Sequence, residues 1–341
     1  MNGAGNLCRG GTVDLSTRYL GLKLKNPLVP SASPMTEDLD GLRKLEDAGA
    51  GAVVLPSLFE EQIESEARSL HHYMEHGSES FAEATSYLPK IEFHARPDEY
   101  LEKIALAKQS LDIPVIASLN GYTPGGWTEY ASYIQEAGAD ALELNIYRIC
   151  GDPDITGREI EADAIETVRE VRERIKIPLA VKIGPYYSSV SNMASKFVEA
   201  GANGLVIFNR FYQPDIDLDD LEVKANLVLS TTQAIRLPLT WIALLYKRIN
   251  ASLAATSGIR DHRDALKVIM AGADVAMMAA ELLRRGPSHI QTVQTALVRW
   301  MEENEYKSVE QMRGSLSQIS CKNPNAFERA QYVKSITGYH V

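Results

Sequence analysis

The chain has 341 residues, of which 45% are hydrophobic and 23% are charged. These are ordinary values for a globular protein, and they favour neither a disordered nor a fibrous class. The formal net charge of −10 argues against a nucleic-acid-binding protein, which needs a basic face to meet phosphates. We therefore expect a small-molecule substrate, with no nucleic-acid partner.

The cysteines and the N-terminal residues bear on the cellular compartment of the protein. Cys8, Cys150 and Cys321 are spread over the whole chain, and an odd number at such spacing is no disulfide framework. Residues 1–11 are rich in Gly and Asn without the apolar core of a signal peptide, so they predict a flexible tail. Since no apolar run is long enough to cross a bilayer, we expect a cytoplasmic protein that does not associate with membranes.

A short pattern built on Ala-Gly-Ala occurs four times along the chain. Its central glycines are Gly49, Gly138, Gly201 and Gly272. Each copy predicts a helix that ends at a glycine in the left-handed conformation, followed at once by a buried strand. That is the αβ half of a βαβ unit, so the pattern indicates a repeated α/β fold.

Eight segments predict buried strands, and helical patterns alternate with most of them. The strand candidates are Pro27–Ser31, Ala52–Pro56, Pro114–Leu119, Ala141–Ile146, Leu179–Ile183, Leu205–Asn209, Ala251–Thr256 and Asp274–Met278. The helix candidates are Glu37–Asp47, Pro97–Ser110, Trp127–Glu136, Asp163–Arg174, Val190–Glu199 and Asp261–Met270. Eight alternating units predict an α/β protein with a (β/α)8 TIM barrel, because a doubly wound sheet usually has fewer strands.

The remaining segments define the expected boundaries. Residues 226–249 must supply the seventh strand or its helix, and Leu239–Leu244 competes with Ala251–Thr256 for the strand. Two insertions, Glu60–His94 and Phe211–Val228, follow the second and sixth strands and are expected to form lids or interface loops. A last helix at Ile290–Asn304 precedes a polar tail. We expect one barrel domain over residues 12–316 and a C-terminal extension over 317–341.

The stretch Ala139–Asp152 is the first candidate site. It contains a buried strand that ends near Asn145, followed by Arg148, Cys150 and a glycine turn. Chemistry in parallel α/β folds takes place at the carboxyl ends of the strands. Polar side chains at this strand end therefore predict a functional site.

Several short motifs occur in one order along the chain. They are Asn26-Pro27, Leu144-Asn145, Val181-Lys182-Ile183, Asn209, Ser257-Gly258-Ile259 and Arg285-Gly286-Pro287. With these motifs the chain resembles the dihydroorotate dehydrogenase family, most closely its soluble class 1 members, from about Val13 to about Leu316. The resemblance implies a TIM barrel with FMN at its mouth. It also implies oxidation of dihydroorotate to orotate, a step of pyrimidine biosynthesis, by hydride transfer to the flavin.

The resemblance assigns roles to three polar residues. Lys182 matches the lysine that contacts the flavin's pyrimidine edge, where an ammonium would stabilise reduced flavin. The alternative is a lysine whose stem packs along the rim of the barrel. Asn145 and Asn209 match asparagines that contact flavin and substrate, and their alternative role is to cap turns at strand ends.

Four small residues match the family's phosphate site. Ser257, Gly258, Ala279 and Ala280 fall where backbone N–H groups surround the FMN phosphate, and the helix starting near Asp261 would add its positive end. The alternative is that small residues only let a helix pack against the barrel. Class 1 relatives form dimers or bind an electron-transfer subunit, so the resemblance implies a homodimer or an electron-transfer protein partner.

The chain departs from the family pattern at several binding positions. The glycine-rich phosphate segment would fall on Leu229–Gln233, which has no glycine. Pro56 stands in place of a second flavin-contacting lysine, and Ala84 in place of a substrate-binding asparagine. These losses affect the places that define FMN and dihydroorotate binding.

The position of the catalytic base also differs. Class 1 members have a cysteine three residues after the strand-end asparagine, where this chain has Arg148, and Cys150 follows two residues later. Cys150 is either a base whose thiolate is stabilised by Arg148 or Lys182, or a small buried hydrophobic residue. Arg148 is a candidate for binding a substrate carboxylate.

Three hypotheses follow from the sequence. The first is an FMN-dependent oxidoreductase acting on dihydroorotate, the second is a flavoprotein with another substrate, and the third is a non-catalytic barrel that serves as a partner subunit. His71, His72 and His76 lack a framing carboxylate motif, so we expect no metal site.

Overall fold

The computed structural model describes residues 13–65, 96–210, 213–224 and 227–338. The strands in these ranges are β1 (Thr17–Tyr19), β2 (Leu22–Leu24), β3 (Leu28–Pro30), β4 (Val53–Phe59), β5 (Val115–Asn120), β6 (Ala141–Asn145), β7 (Leu179–Ile183), β8 (Gly204–Ile207), β9 (Asp215–Asp217), β10 (Glu222–Lys224), β11 (Ser252–Ala255) and β12 (Val275–Met278).

Helices alternate with most of the strands along the chain and continue after β12. They are Leu39–Asp47, Pro97–Ser110, Tyr130–Glu136, Gly157–Arg174, Val190–Glu199, Arg236–Leu245, His262–Ala271, Ala280–Arg285, His289–Glu303, Val309–Met312 and Pro324–Thr337. Within the described ranges, no helix combines the length and the apolar character that a membrane span requires.

Eight parallel strands form the centre of the molecule. Their order in the sheet is β3-β12-β11-β8-β7-β6-β5-β4, so neighbours in the sheet are neighbours among the barrel strands of the sequence. The two edges, β3 and β4, meet where the Gly51 N–H donates a hydrogen bond to the Leu28 carbonyl at 2.8 Å. The predicted (β/α)8 barrel is confirmed, and each of the eight strand candidates overlaps a barrel strand, although β4, β5 and β8 extend beyond the predicted bounds.

The ambiguous segment 226–249 supplies a helix and not the seventh barrel strand. A 3-10 turn at Thr232–Ile235 leads into the helix Arg236–Leu245, and the seventh barrel strand begins only at Ser252. The strand alternative for Leu239–Leu244 is therefore wrong. Ile242 and Leu245 are fully buried, so burial of one helix face decides the structure.

Two further segments differ from the prediction. The second insertion contains the antiparallel hairpin of β9 and β10. The expected polar tail is also wrong in part, because the chain forms the short helix Val309–Met312 and then buries Ser317 and Gln318. Arg248 donates a hydrogen bond to the Gln318 side chain at 2.6 Å, which ties the start of the C-terminal extension to the barrel.

An N-terminal hairpin closes the lower end of the barrel. Tyr19, Leu20 and Leu24 on β1 and β2 are buried and pack with the apolar side chains that point into the barrel. Gly204 makes room for this plug, because a Cβ there would lie 2.5 Å from Leu20 Cδ2. With its lower end filled by apolar side chains, the barrel is left with its carboxyl end for a site.

We expect Gly51→Ala to lower the free energy of unfolding by about 1–3 kcal/mol. A Cβ at this position would lie 2.2 Å from the Asn26 carbonyl oxygen, so the seam between β3 and β4 must open. The measurement is urea denaturation. The control is Gly157→Ala, whose Cβ meets nothing within 4 Å and which should change stability by less than about 0.5 kcal/mol. Equal effects of the two substitutions would contradict the role of Gly51.

Candidate functional site

The carboxyl ends of neighbouring strands bring four polar side chains together. Asn120 lies opposite Asn145 in the β5–β6 register, and Asn145 lies opposite Lys182 in the β6–β7 register. Asn209 follows β8, and its backbone N–H donates to the Ile183 carbonyl at 2.8 Å. Its side-chain amide donates to Asn145 Oδ1, also at 2.8 Å. The three polar residues to which the resemblance assigns roles, Asn145, Lys182 and Asn209, therefore meet in one place.

These side chains line two connected cavities at the mouth of the barrel. The large lobe has a volume of about 790 Å³ and is lined by Asn120, Asn145, Lys182 and Asn209 among others. The small lobe, of about 220 Å³, shares Lys182 and Asn209 with it and extends towards Ser257.

Lys182 is held by a buried carboxylate. Its ammonium lies 3.2 Å from Glu143 Oε1, and the two side chains are only 11% and 1% exposed. Glu143 Oε2 is buried and has no hydrogen-bond partner within the described part of the chain. A charge in the barrel interior is costly unless it is paired, so Glu143 fixes the position of the ammonium.

Glu143 was not recognised from the sequence, although its setting carried a signal. It stands between two leucines of a buried strand, where a carboxylate needs a partner. Tyr100 lies nearby, with its hydroxyl donating to the Ser118 carbonyl at 3.0 Å. Burial, and secondarily the charge of Glu143, raise the pKa of Tyr100 far above its ordinary value. The tyrosine thus stays neutral beside the ion pair.

The small lobe contains the residues expected at the phosphate site. Ser257, Gly258, Ala279 and Ala280 all line it. Gly258 has a φ of +76°, and a Cβ there would lie 2.4 Å from the Ile235 backbone nitrogen, so a larger residue does not fit. The close approach to residue 235 shows that packing of the helix is part of the reason for this glycine.

The segment without glycine also borders the small lobe. Leu229 and Ser230 line it, and Ser230 Oγ accepts a hydrogen bond from the Gly258 N–H at 3.4 Å. Ser31 lines the same lobe, and its buried hydroxyl has no partner among the residues that the structure describes. An orphaned hydroxyl that borders a cavity is a donor for a ligand.

The helix that begins near Asp261 does not direct its N-terminal end at the small lobe, contrary to the expectation. The Asp261 side chain caps its own helix by accepting hydrogen bonds from the N–H groups of Arg263 and Asp264. Neither lobe is lined by residues of that helix. The helix Ala280–Arg285 reaches the small lobe instead, through Ala280.

Arg148 lies beside the site but outside both lobes. Its guanidinium is 2.8 Å from Asp163 Oδ2 and lies 5.4 Å from the centre of the Tyr122 ring. Together with Asn209 it lines a smaller cavity of about 80 Å³. Asn209 therefore borders both lobes and also the smaller cavity that contains Arg148.

Tyr122 is fixed beneath Arg148 by a carboxylate that the sequence analysis did not single out. Glu60 Oε2 accepts a hydrogen bond from the Tyr122 N–H at 2.9 Å. Burial raises the pKa of Glu60 above its ordinary value, although the hydrogen bonds from Tyr122 and Thr123 act in the opposite direction. This contact holds the loop after β5 against the start of the first insertion.

Cys150 is not brought to the lobes. It lines a separate pocket of about 380 Å³ with Arg148, and its Sγ is 3.8 Å from the Asp152 carbonyl. Its candidate partners are both engaged, since Arg148 pairs with Asp163 and Lys182 with Glu143. Glu61 lines both this pocket and the large lobe, and it was also missed from the sequence.

Of the other positions that depart from the family pattern, the structure describes Pro56 but not Ala84. Pro56 lines the large lobe at an irregularity in the pairing of β4 with β5, where a residue without an N–H is tolerated. Ala84 and the three histidines His71, His72 and His76 lie outside the described residues.

A double-mutant cycle tests the ion pair inside the barrel. We expect Glu143→Leu and Lys182→Met each to lower the free energy of unfolding by about 3–5 kcal/mol, because each leaves a buried unpaired charge. The double variant should lose less than the sum, with a coupling of about 1–3 kcal/mol by urea denaturation. The exposed pair Asp40–Lys44 is the control and should show no measurable coupling. Strictly additive effects at Glu143 and Lys182 would rule out the pairing.

Comparison with known proteins identifies the family. The model of the family described as dihydroorotate dehydrogenase matches residues 74–301, about two thirds of the chain. The catalytic subunit of dihydroorotate dehydrogenase B (NAD(+)) of Thermoplasma volcanium is 26% identical over 309 residues, covering 88% of this chain and 98% of the relative. The protein of the same name from Methanocella arvoryzae is 29% identical over 262 residues, covering 74% and 82%. The chain is therefore a divergent member of the dihydroorotate dehydrogenase family of oxidoreductases.

Proposed function

We propose that this protein is an FMN-dependent dehydrogenase that oxidises a CH–CH unit, with dihydroorotate or a close relative as substrate. The observation that carries the proposal is the meeting of Lys182, Asn145 and Asn209 at the mouth of the barrel. These residues line a large lobe that continues into a small lobe bordered by hydroxyls and small residues.

The side chains present fit FMN. Lys182 would hold the electron-rich edge of the ring, and the amides of Asn145 and Asn209 would supply donors and acceptors beside it. The small lobe offers the hydroxyls of Ser31, Ser230 and Ser257 to a phosphate. When bound, FMN would supply the acceptor for a hydride from the substrate.

The protein's own residues prepare the site in two ways. Glu143 keeps the Lys182 ammonium in one position, so that a positive charge is ready where negative charge would develop. The hydrogen bond between Asn209 and Asn145 orients both amides. Because the large lobe lies above a barrel interior that is filled with apolar side chains, a bound ring would be shielded from water on that side.

The position of Cys150 supports a second candidate, a flavoprotein with a different substrate. The cysteine lies in a separate pocket, while Arg148 lines a cavity that Asn209 joins to the lobes. Arg148 would suit a carboxylate placed further from the flavin than that of dihydroorotate. In this reading the fold and cofactor are kept, and the substrate is longer or differently oriented.

We also propose that the protein is cytoplasmic and forms a homodimer. The dimer is supported by the hairpin of β9 and β10. Ile216 pairs with Val223 across the hairpin, and both are more than 60% exposed. Leu218 and Leu221 near the turn are exposed as well. An isolated two-stranded hairpin is marginally stable, so a second copy that covers its apolar face would stabilise both. An electron-transfer protein that docks at the same end of the barrel is the alternative partner.

Absorbance spectra test the proposed function. We expect purified protein to bind FMN one to one and show a flavin band near the usual visible maximum, which dihydroorotate should bleach under anaerobic conditions. Lys182→Met should weaken FMN binding at least tenfold, because it removes the cation at the ring edge. A protein that takes up no FMN would contradict the proposal and favour the non-catalytic hypothesis. Bound FMN that photoreduces, but is not bleached by dihydroorotate, would favour the second candidate.

Cys150→Ser separates the two candidates further. If Cys150 stays in its own pocket, the substitution should change the rate of flavin reduction by less than about threefold. A loss on the order of 10²-fold or more, typical of a missing general base, would show that the loop moves Cys150 into the lobes.

Light scattering coupled to size-exclusion chromatography tests the dimer. We expect the wild-type chain to elute with twice its monomer mass and Ile216→Lys/Val223→Lys to elute as a monomer, because two charges would be buried in the interface. The control Leu106→Lys changes an exposed leucine on the helix Pro97–Ser110 and should leave the dimer intact. A monomeric wild type, or a dimer in the hairpin variant, would contradict the proposal.

A further inference from the structure

A second large cavity lies at the opposite end of the barrel from the site. It has a volume of about 720 Å³ and is formed by β1, by the loops that precede β8, β11 and β12, and by Arg313. Its charged lining residues are Arg18, Lys247, Arg248, Arg313 and Asp274. We call this cavity the basal groove.

The charges of the basal groove are not balanced. Arg313 is paired with Asp274 and with Glu310, so its charge is compensated. Arg18 and Lys247 form no ion pair within the described part of the chain, although the Lys247 ammonium lies 5.4 Å from the centre of the Tyr246 ring. Arg248 donates to the neutral side chain of Gln318. Three uncompensated cations therefore line one cavity, in a chain whose net charge is −10.

Like charges also face each other beside the groove. Arg18 lies directly opposite Lys23 in the register of β1 and β2, and both side chains are exposed. Two cations opposite each other on a hairpin repel and destabilise it. An anion bound next to Arg18 would remove this repulsion.

The loop that carries two of the cations is held in a defined conformation. Lys247 has a φ of +58°, which is unfavourable for a residue with a side chain. The preceding Tyr246 ring fits against Gly272 and Gly314, where a Cβ would lie 2.5 Å and 2.0 Å from ring atoms. The Tyr246 hydroxyl donates to the Arg313 carbonyl at 3.2 Å. Packing of the tyrosine thus fixes Lys247 in the groove despite the strain.

We infer that the basal groove binds a small, multiply charged anion of the phosphate class, such as a diphosphate. Three cations need more than one negative charge to balance them, and guanidinium and ammonium groups are the usual phosphate ligands. The volume matches that of small-molecule sites. A long polyanion is disfavoured, because the surface outside the groove is negatively charged and would repel it. The groove is separate from the lobes at the barrel mouth, so this inference does not depend on the proposed function.

Isothermal titration calorimetry with inorganic pyrophosphate, at constant ionic strength, tests the inference. We expect one saturable site per chain in the wild type. Arg18→Gln/Lys247→Gln/Arg248→Gln should weaken binding at least tenfold. The matched control is Lys44→Gln/Arg169→Gln/Arg299→Gln, which removes three exposed cations that pair with carboxylates elsewhere and should retain affinity within twofold.

A single substitution tests the inference with a variant that should fold even if the triple variant does not. Lys247→Gly removes one ammonium and accepts the positive φ without strain, so the variant should fold and still bind at least threefold more weakly. No saturable binding to the wild type, or equal weakening in both triple variants, would overturn the inference. Tighter binding of a 20-nucleotide single-stranded DNA than of pyrophosphate would also overturn it, because the groove would then serve nucleic acid.

Discussion

The buried ion pair between Lys182 and Glu143 is the constraint on which the site depends. Side chains alternate along a strand, so the residues two before these, Ala180 and Ala141, also point into the barrel. The lower barrel is therefore apolar and the level above it is charged. A lysine so poorly exposed can remain there only because a carboxylate on the neighbouring strand lies 3.2 Å away. The pair fixes the one cation that both lobes share.

The same alternation explains much of what the sequence could predict. The repeated Ala-Gly-Ala pattern locates helix ends and buried strands, and it placed Asn145 at a strand end, where side chains of a parallel barrel meet. Lys182 and Asn209 were singled out by the family resemblance. Glu143 could not be paired from sequence, since its partner lies on the next strand, 39 residues away. The helix Arg236–Leu245 was ambiguous, because a short apolar run suits a buried strand as well as a buried helix.

The loops were the least predictable part, for a physical reason. Residues 146–156 have no regular hydrogen-bond ladder, so neither period nor register fixes where Arg148 and Cys150 point. Their positions follow from distant contacts, such as the ion pair of Arg148 with Asp163 and its stacking on Tyr122. The helix near Asp261 shows the same limit. A cap residue and a phosphate compete for the same N–H groups, and here the Asp261 side chain occupies them.

Compensation of charge distinguishes the large lobe from the basal groove. Lys182, which lines the large lobe, is balanced by Glu143, whereas Arg210 at the small lobe forms no ion pair within the described part of the chain. At the base, Arg18, Lys247 and Arg248 lack such partners within the described chain. A cation that is already paired gives less to an anionic ligand, because its carboxylate must be displaced or repels the ligand. The large lobe and the basal groove should therefore select different ligands by charge, even though one barrel supports both.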